Sequence, residues 1–161
     1  MERRTLYQAA VLIAAVLISL SAGFIGSIFT EPAIPGWYAQ LEKPPFTPPE
    51  WAFGPVWTTL YILMGISVFL IWRAGWQRRD VRYGIGLFGL QLAVNALWSY
   101  LFFGLQSPLL GLIDIVALWV LLLVTILWFA RISRAAAALL VPYILWVTIA
   151  TYLNAGIFLL N

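Results

Sequence analysis

The chain has no cysteine and no histidine, and charged residues fill only 9% of its 161 positions. Lacking cysteine, it has neither disulfides nor thiol redox chemistry, and thiol usage says nothing of its compartment. Lacking histidine as well, it assembles no nucleophile–base pair and no metal site of the usual kinds. The shortage of charge excludes a water-soluble domain, in which about a quarter of residues are charged. Internal repeats and low-complexity tracts are missing too, as are the two matching halves that many secondary transporters show.

What is present is apolar. Hydrophobic residues make up 63% of the chain, and the mean hydropathy is +0.96. A bilayer core takes about 20 apolar residues per helical span. Five stretches qualify: Leu6–Phe29, Trp51–Trp72, Tyr83–Leu105, Pro108–Ala130 and Ala135–Leu160. They use nearly the whole chain, so the sequence predicts a single all-α membrane domain over residues 1–161, a bundle of five transmembrane helices. The first stretch has the flanks of a secretory signal, but its apolar run continues through Gly23 to Phe29. That is longer than a signal's core, and the segment is read as a retained helix.

Charge placement orients the bundle. Arg3, Arg4, Arg73, Arg78, Arg79, Arg82, Arg131 and Arg134 fall on one side of a five-span arrangement, and Lys43 alone on the other. Such asymmetry across short loops places the N-terminus in the cytoplasm and the first loop and C-terminus outside. The net charge of +3 is then a matter of topology and anionic lipid rather than of nucleic acid. Helix starts have local signals as well. Thr47-Pro48-Pro49-Glu50 fits a threonine cap with a capping-box glutamate, and Ser107-Pro108 opens the fourth span by the same logic. The short loop before Ser107 makes spans three and four an antiparallel hairpin.

Polar residues within the spans are few. Asp114 is the one ionisable acid or base deep in a span, about two turns from the outward end of the fourth. With no Lys, Arg or His to relay to, it reads as a carboxyl protonated or hydrogen-bonded to a neighbouring helix rather than as part of a pump. Gln91, Asn95, Trp98 and Phe102 share one face of the third span at ~100° per residue. Amides have no partners in lipid, so this face points into the bundle. Gly89, Ala93 and Ala96 lie opposite, a small-residue surface that suits close approach by another span or a second copy of the chain. Ser19, Gly23 and Ser27 form a similar strip on the first span.

Tryptophan is abundant, with nine copies. Trp72, Trp76 and Trp128 near one surface and Trp37 and Trp51 near the other are explained as interfacial belts. Trp57, Trp98 and Trp146 lie deeper, all toward the outer half. Trp57, Tyr61 and Gly65 stack at helical spacing in the second span, and Pro142, Trp146, Ala150 and Asn154 in the fifth, where Pro142 is expected to kink the helix. Aromatic walls, small residues that leave volume and a few amides suit a flat apolar ligand; packing of the bundle core explains the same residues equally well. The proline-rich stretch from Gly36 to Glu50 forms no regular element on this reading. Its Trp37, Tyr38 and Phe46 need shelter from water, which makes the stretch a lid over such a cavity.

Four motifs carry a resemblance to a known family. They are W-Y-x-x-L-x-K-P-x-F-x-P-P at Trp37–Pro49, V-W-x-x-L-Y-x-x-M-G at Val56–Gly65, Q-L-A-x-N-x-x-W at Gln91–Trp98 and P-Y-x-x-W-x-x-x-A-x-x-L-N at Pro142–Asn154. The chain resembles the TspO/MBR family, that of tryptophan-rich sensory proteins and the mitochondrial translocator or peripheral benzodiazepine receptor. The resemblance implies a receptor or sensor, usually a homodimer, that binds porphyrins such as protoporphyrin IX and other tetrapyrroles, and that acts in tetrapyrrole or stress regulation. It implies a pocket lined by Tyr38, Phe46, Pro48, Trp57 and Tyr61, together with Asn95, Trp98, Trp146, Ala150 and Asn154. Relatives that degrade protoporphyrin in light implicate tryptophans matching Trp57 and Trp146; transport of lipid or porphyrin is a further reading. The basic residue that the mammalian sterol motif requires shortly after Tyr152 is not there. Without histidine or cysteine, haem iron would be left with Met64 or a tyrosine, so a metal-free porphyrin held by stacking is the easier guest, and no cofactor is expected. The arginines and short N-terminus suggest a prokaryotic plasma membrane.

Overall fold

The computed structural model describes residues 2–161, all of them helix or short connection. α1 (Glu2–Ala33) runs on through a π-helical turn (Ile34–Tyr38). α2 (Glu50–Arg73) and α3 (Arg79–Ser99) follow, the latter extended by a second π-helical turn (Tyr100–Gly104). α4 (Pro108–Ile132), the short α5 (Arg134–Leu139) and α6 (Val141–Leu160) complete the chain. Five helical segments among the described residues are long and apolar enough to cross a membrane, with α5 and α6 together forming the fifth. The all-α, five-span reading of the sequence therefore holds, and the chain is an integral membrane protein.

The span ends differ from expectation where proline intervenes. The first span reaches Tyr38 rather than Phe29. Pro32 and Pro35 each remove an amide donor, yet the chain widens into a π-helical turn instead of unwinding. Trp37 and Tyr38 are therefore delivered by a helix and not by an irregular loop. The capping box at Thr47 does not form. Pro49 is the N-cap, without a side-chain bond, and the Thr47 hydroxyl donates to the Pro44 carbonyl at 2.7 Å. Thr47 and Pro48 each precede a proline, which pushes both toward extended backbone and delays the helix until Glu50. Ser107 behaves as expected, its Oγ accepting from the Leu110 amide at 3.3 Å. The break expected at Pro142 falls just before it, at Leu140, leaving Pro142 in the first turn of α6 where an amide has no helical partner.

Packing places small residues where backbones meet. A Cβ on Gly65 would lie 2.5 Å from the Val16 Cα, so α1 and α2 touch backbone to backbone there. Gly65 thus admits a helix; it does not leave cavity volume. The Ser19/Gly23/Ser27 strip also turns inward. Ser19 is fully buried, and a Cβ on Gly23 would collide with the Tyr61 ring. Met64, Ile71, Val81, Leu122, Phe129, Leu140 and Val147 form the densest part of the core, toward the arginine-rich end. Leu17, Phe24, Ile113 and Leu145 project outward, as residues facing acyl chains do. Trp119 bridges α4 and α6 through an indole bond to the Thr148 hydroxyl, 2.8 Å.

Candidate functional site

At the end of the bundle opposite the arginines, the helices part around a cavity of about 440 Å³. Its walls come from α1, α2, α3 with its π-helical turn, and α6. The expected aromatic residues converge on it. Trp57 stacks on Tyr61 of the same helix, ring centroids 5.6 Å apart and 26° from parallel, and meets Tyr143 edge-on at 6.2 Å. Trp98 stacks on Phe102 at 5.3 Å and 16°, while Trp146 packs against the edge of Phe53 at 5.6 Å. Tyr38, Asn95, Ala150 and Asn154 complete the expected set that lines the space.

Two expected residues stay outside. Phe46 is 96% exposed at the tip of the connection, with φ +62, and neither it nor Pro48 borders the cavity. The connection is pinned elsewhere, against the end of α6. The Tyr152 hydroxyl donates to the Pro45 carbonyl at 2.9 Å. Asn161 accepts from the Glu42 amide and donates to its carbonyl, and Gly156 leaves room for the Pro44 ring. These anchors turn Phe46 outward. The covering role falls instead to the π-helical turn of the first span, where Trp37 meets Phe102 at 5.4 Å and Tyr38 meets Phe103 at 5.6 Å. Lys43 holds that turn, its ammonium donating to the Tyr38 carbonyl at 3.0 Å and lying 4.6 Å from the Tyr38 ring centroid.

The amides face inward as expected, but the protein itself engages them. The Tyr61 hydroxyl donates to Asn95 Oδ1 at 2.6 Å, and Asn95 Nδ2 donates to the Tyr143 hydroxyl at 3.0 Å. Tyr143 in turn donates to Gln91 Oε1 at 3.0 Å, and Gln91 Nε2 lies 4.0 Å from the Met64 sulfur. This chain ties α2, α3 and α6 together beneath the cavity. A second set closes its side: the Trp98 indole donates to Asn154 Oδ1 at 3.0 Å, and Asn154 Nδ2 donates to the Pro108 carbonyl at 2.7 Å. One buried donor is left over. Trp146 lines the cavity, but its indole nitrogen is buried within the protein and has no hydrogen-bond partner among the described residues.

The sequence reading missed several wall residues. Phe53 lies one helical turn before Trp57, Ser27 belongs to the strip with Ser19 and Gly23, and Phe103 follows Phe102. Tyr143, fully buried below the floor, repeats at helical spacing with Val147, Ala150 and Asn154. That spacing was the available signal. Asp114 is buried on α4 and its Oδ2 makes no hydrogen bond, so of the two states expected for this carboxyl, protonated or bonded to a neighbouring helix, no bond is found at that atom. Glu31 and Glu50 border the mouth.

Comparison with known proteins shows the family. The model of the TspO/MBR family matches residues 14–160. The chain is 48% identical over 144 residues to the tryptophan-rich protein TspO of Chlorobaculum tepidum, covering 89% of this chain and 91% of that one. It is 48% identical over 151 residues to the tryptophan-rich protein TspO of Archaeoglobus fulgidus, covering 93% and 96%. It is 36% identical over 139 residues to the translocator protein of Bos taurus, covering 86% and 82%.

Proposed function

The chain belongs to the TspO/MBR family, and from that premise we propose that it is a membrane receptor for porphyrins and related tetrapyrroles, acting in tetrapyrrole or stress regulation. The observation that carries this reading is the cavity of about 440 Å³ walled by Trp57, Trp98 and Trp146. That volume lies within the range of small-molecule sites, roughly 300–1,000 Å³. Flat aromatic walls favour a flat aromatic guest through dispersion and stacking. Because Asn95 and Asn154 are held by protein partners, they shape the walls more than they greet the ligand.

Two further features belong to the proposal. The chain works as a homodimer through α3, whose Gly89 and Ala93 are exposed and whose Gly89 would accept a Cβ without meeting any atom. Ala96 lies at the edge of that face, partly buried against the core. The arginine-rich end faces the cytoplasm of a prokaryotic cell, and the cavity opens toward the other leaflet.

A titration of purified protein with protoporphyrin IX, following tryptophan fluorescence, tests the reading. Saturable quenching with one porphyrin per protomer is expected; quenching that never saturates refutes it. Light-driven porphyrin degradation is a second reading, favoured by the placement of both Trp57 and Trp146 on the cavity wall. Trp57→Phe and Trp146→Phe keep a ring, so affinity falls by about 1 kcal/mol, roughly the worth of an aromatic pair. Porphyrin loss under illumination falls far more, because phenylalanine is much harder to oxidise than indole.

A further inference from the structure

A second recess of about 240 Å³ lies at the opposite, arginine-rich end, where the first turns of α1 meet the last turn of α2. Arg4 and Arg73 border it from the two helices, with Tyr7, Trp72 and Trp76 as its aromatic sides. Tyr7 and Trp72 meet at 5.7 Å, and Trp72 stacks on Phe69 at 6.0 Å. The Arg73 guanidinium sits 5.9 Å from the Phe69 ring centroid, which holds the cation close to the helix surface. Among the described residues the one ion pair is Arg78–Asp80. Arg4 and Arg73 thus bring two guanidiniums to one recess, and neither is ion-paired to a carboxylate among the described residues.

We propose that this recess binds the phosphate of an anionic phospholipid from the leaflet at the arginine-rich end. The charge complement is a phosphate, because two guanidiniums from different helices present paired N–H donors to its oxygens. The dipole of α1 favours an anion here, since its amino end lies at the recess, while the carbonyl end of α2 opposes it; the arginines decide the sign. A lipid, rather than a soluble anion, is argued from what adjoins the site. Tyr7 is 61% exposed and Trp76 49% exposed, so both belong at headgroup depth. Leu6, Ile13 and Leu17 are exposed apolar residues on another face of the same helix, so α1 is surrounded by acyl chains and not by water just beyond the recess. The site bridges the two helices whose backbones touch at Gly65 and Val16, so an occupant braces that contact from its open end.

Native mass spectrometry of the full chain, titrated with phosphatidylglycerol and with phosphatidylcholine of the same acyl chains, reads the site. One tightly retained phosphatidylglycerol is expected per protomer, with phosphatidylcholine lost at the same collision energy. Each arginine near an anionic lipid is worth about fivefold, so Arg4→Gln with Arg73→Gln weakens phosphatidylglycerol roughly 30-fold. Arg131→Gln with Arg134→Gln removes the same charge from the same end but outside the recess, and changes binding less than about twofold. Equal losses in the two double variants would overturn the proposal in favour of diffuse charge. Equal retention of the two lipids by the unmodified protein would overturn it without recourse to any variant. Displacement of the lipid by millimolar inorganic phosphate would make this a soluble anion's site and overturn it as well.

Discussion

Tyr143→Phe should destabilise the protein more than Tyr61→Phe, although Tyr61 and not Tyr143 faces the cavity. Removing the Tyr143 hydroxyl deletes two interhelical hydrogen bonds, one from Asn95 Nδ2 and one to Gln91 Oε1, both 3.0 Å. Gln91 is fully buried, and its oxygen is left without a donor. Interhelical bonds in membrane proteins contribute roughly 0.6 kcal/mol each, up to about 1.7, so the loss is about 1–3 kcal/mol. Tyr61→Phe deletes a single bond to Asn95 Oδ1. That oxygen borders the cavity, where water can replace the phenol, and the loss stays near 1 kcal/mol or below. Thermal unfolding in detergent, read by circular dichroism, distinguishes the two; for a chain of this size 1 kcal/mol moves the midpoint by about 2–4 °C. The double variant should lose less than the sum, because Asn95 is shared by both tyrosines. If Tyr61→Phe costs as much as Tyr143→Phe, or the two losses add fully, the hydrogen-bonded chain beneath the cavity does not act as a unit.

The other predictions test separate parts of the molecule. Ala150→Leu fills the cavity without altering an aromatic, and should weaken protoporphyrin binding by at least ~10-fold while leaving the melting midpoint close to that of the parent. Gly89→Leu should raise the monomer fraction measured by light scattering in detergent; an unchanged dimer would move the interface off this face of α3. Gly65→Ala forces a methyl to within 2.5 Å of the Val16 Cα, and should destabilise by about 1–3 kcal/mol through overpacking despite the better helix propensity of alanine. Cysteines placed at Ala39 and Gln77 should label from opposite faces of intact cells, Ala39 from outside, and the reverse pattern would invert the orientation.

The five spans were legible because their signal is local: unbroken apolar runs of membrane length with arginines at alternate ends. The inward face of α3 was legible for the same reason, since Gln91, Asn95 and Trp98 lie on one stripe and amides do not face lipid. Ambiguity began wherever a residue admits two explanations that differ only by its neighbour. Gly65 was read as space for a ligand and is filled by the Val16 backbone. Ser19, Gly23 and Ser27 left a helix partner or a second copy open; Ser19 is buried in the bundle, Gly23 meets Tyr61, and Gly23 and Ser27 border the cavity. Phe46 was assigned to the cavity from the apolar nature of its ring, but its direction is set by contacts more than a hundred residues away in sequence, such as Tyr152 to Pro45 and Asn161 to Glu42. Proline misled in both directions. Pro32 and Pro35 did not end the first span, whereas Pro48 and Pro49 delayed the second.

α6 joins the parts of the site that sequence reading treats separately. Its Trp146, Ala150 and Asn154 form cavity wall, its Tyr143 joins the hydrogen-bonded chain below, and its last turns hold the connection above through Tyr152, Gly156 and Asn161. α2 and α3 are tied to it by Asn95 and Trp98. A guest that presses on Trp146 therefore pushes the same rigid element on which the covering segment rests. Trp146 meets Phe53 of α2 edge-on, so a shift of α6 at this point is felt by α2 as well. On the proposed function, selection among flat ligands rests with the shape of this cavity, and α6, which carries three of its wall residues, is the element through which a guest reaches the connection above.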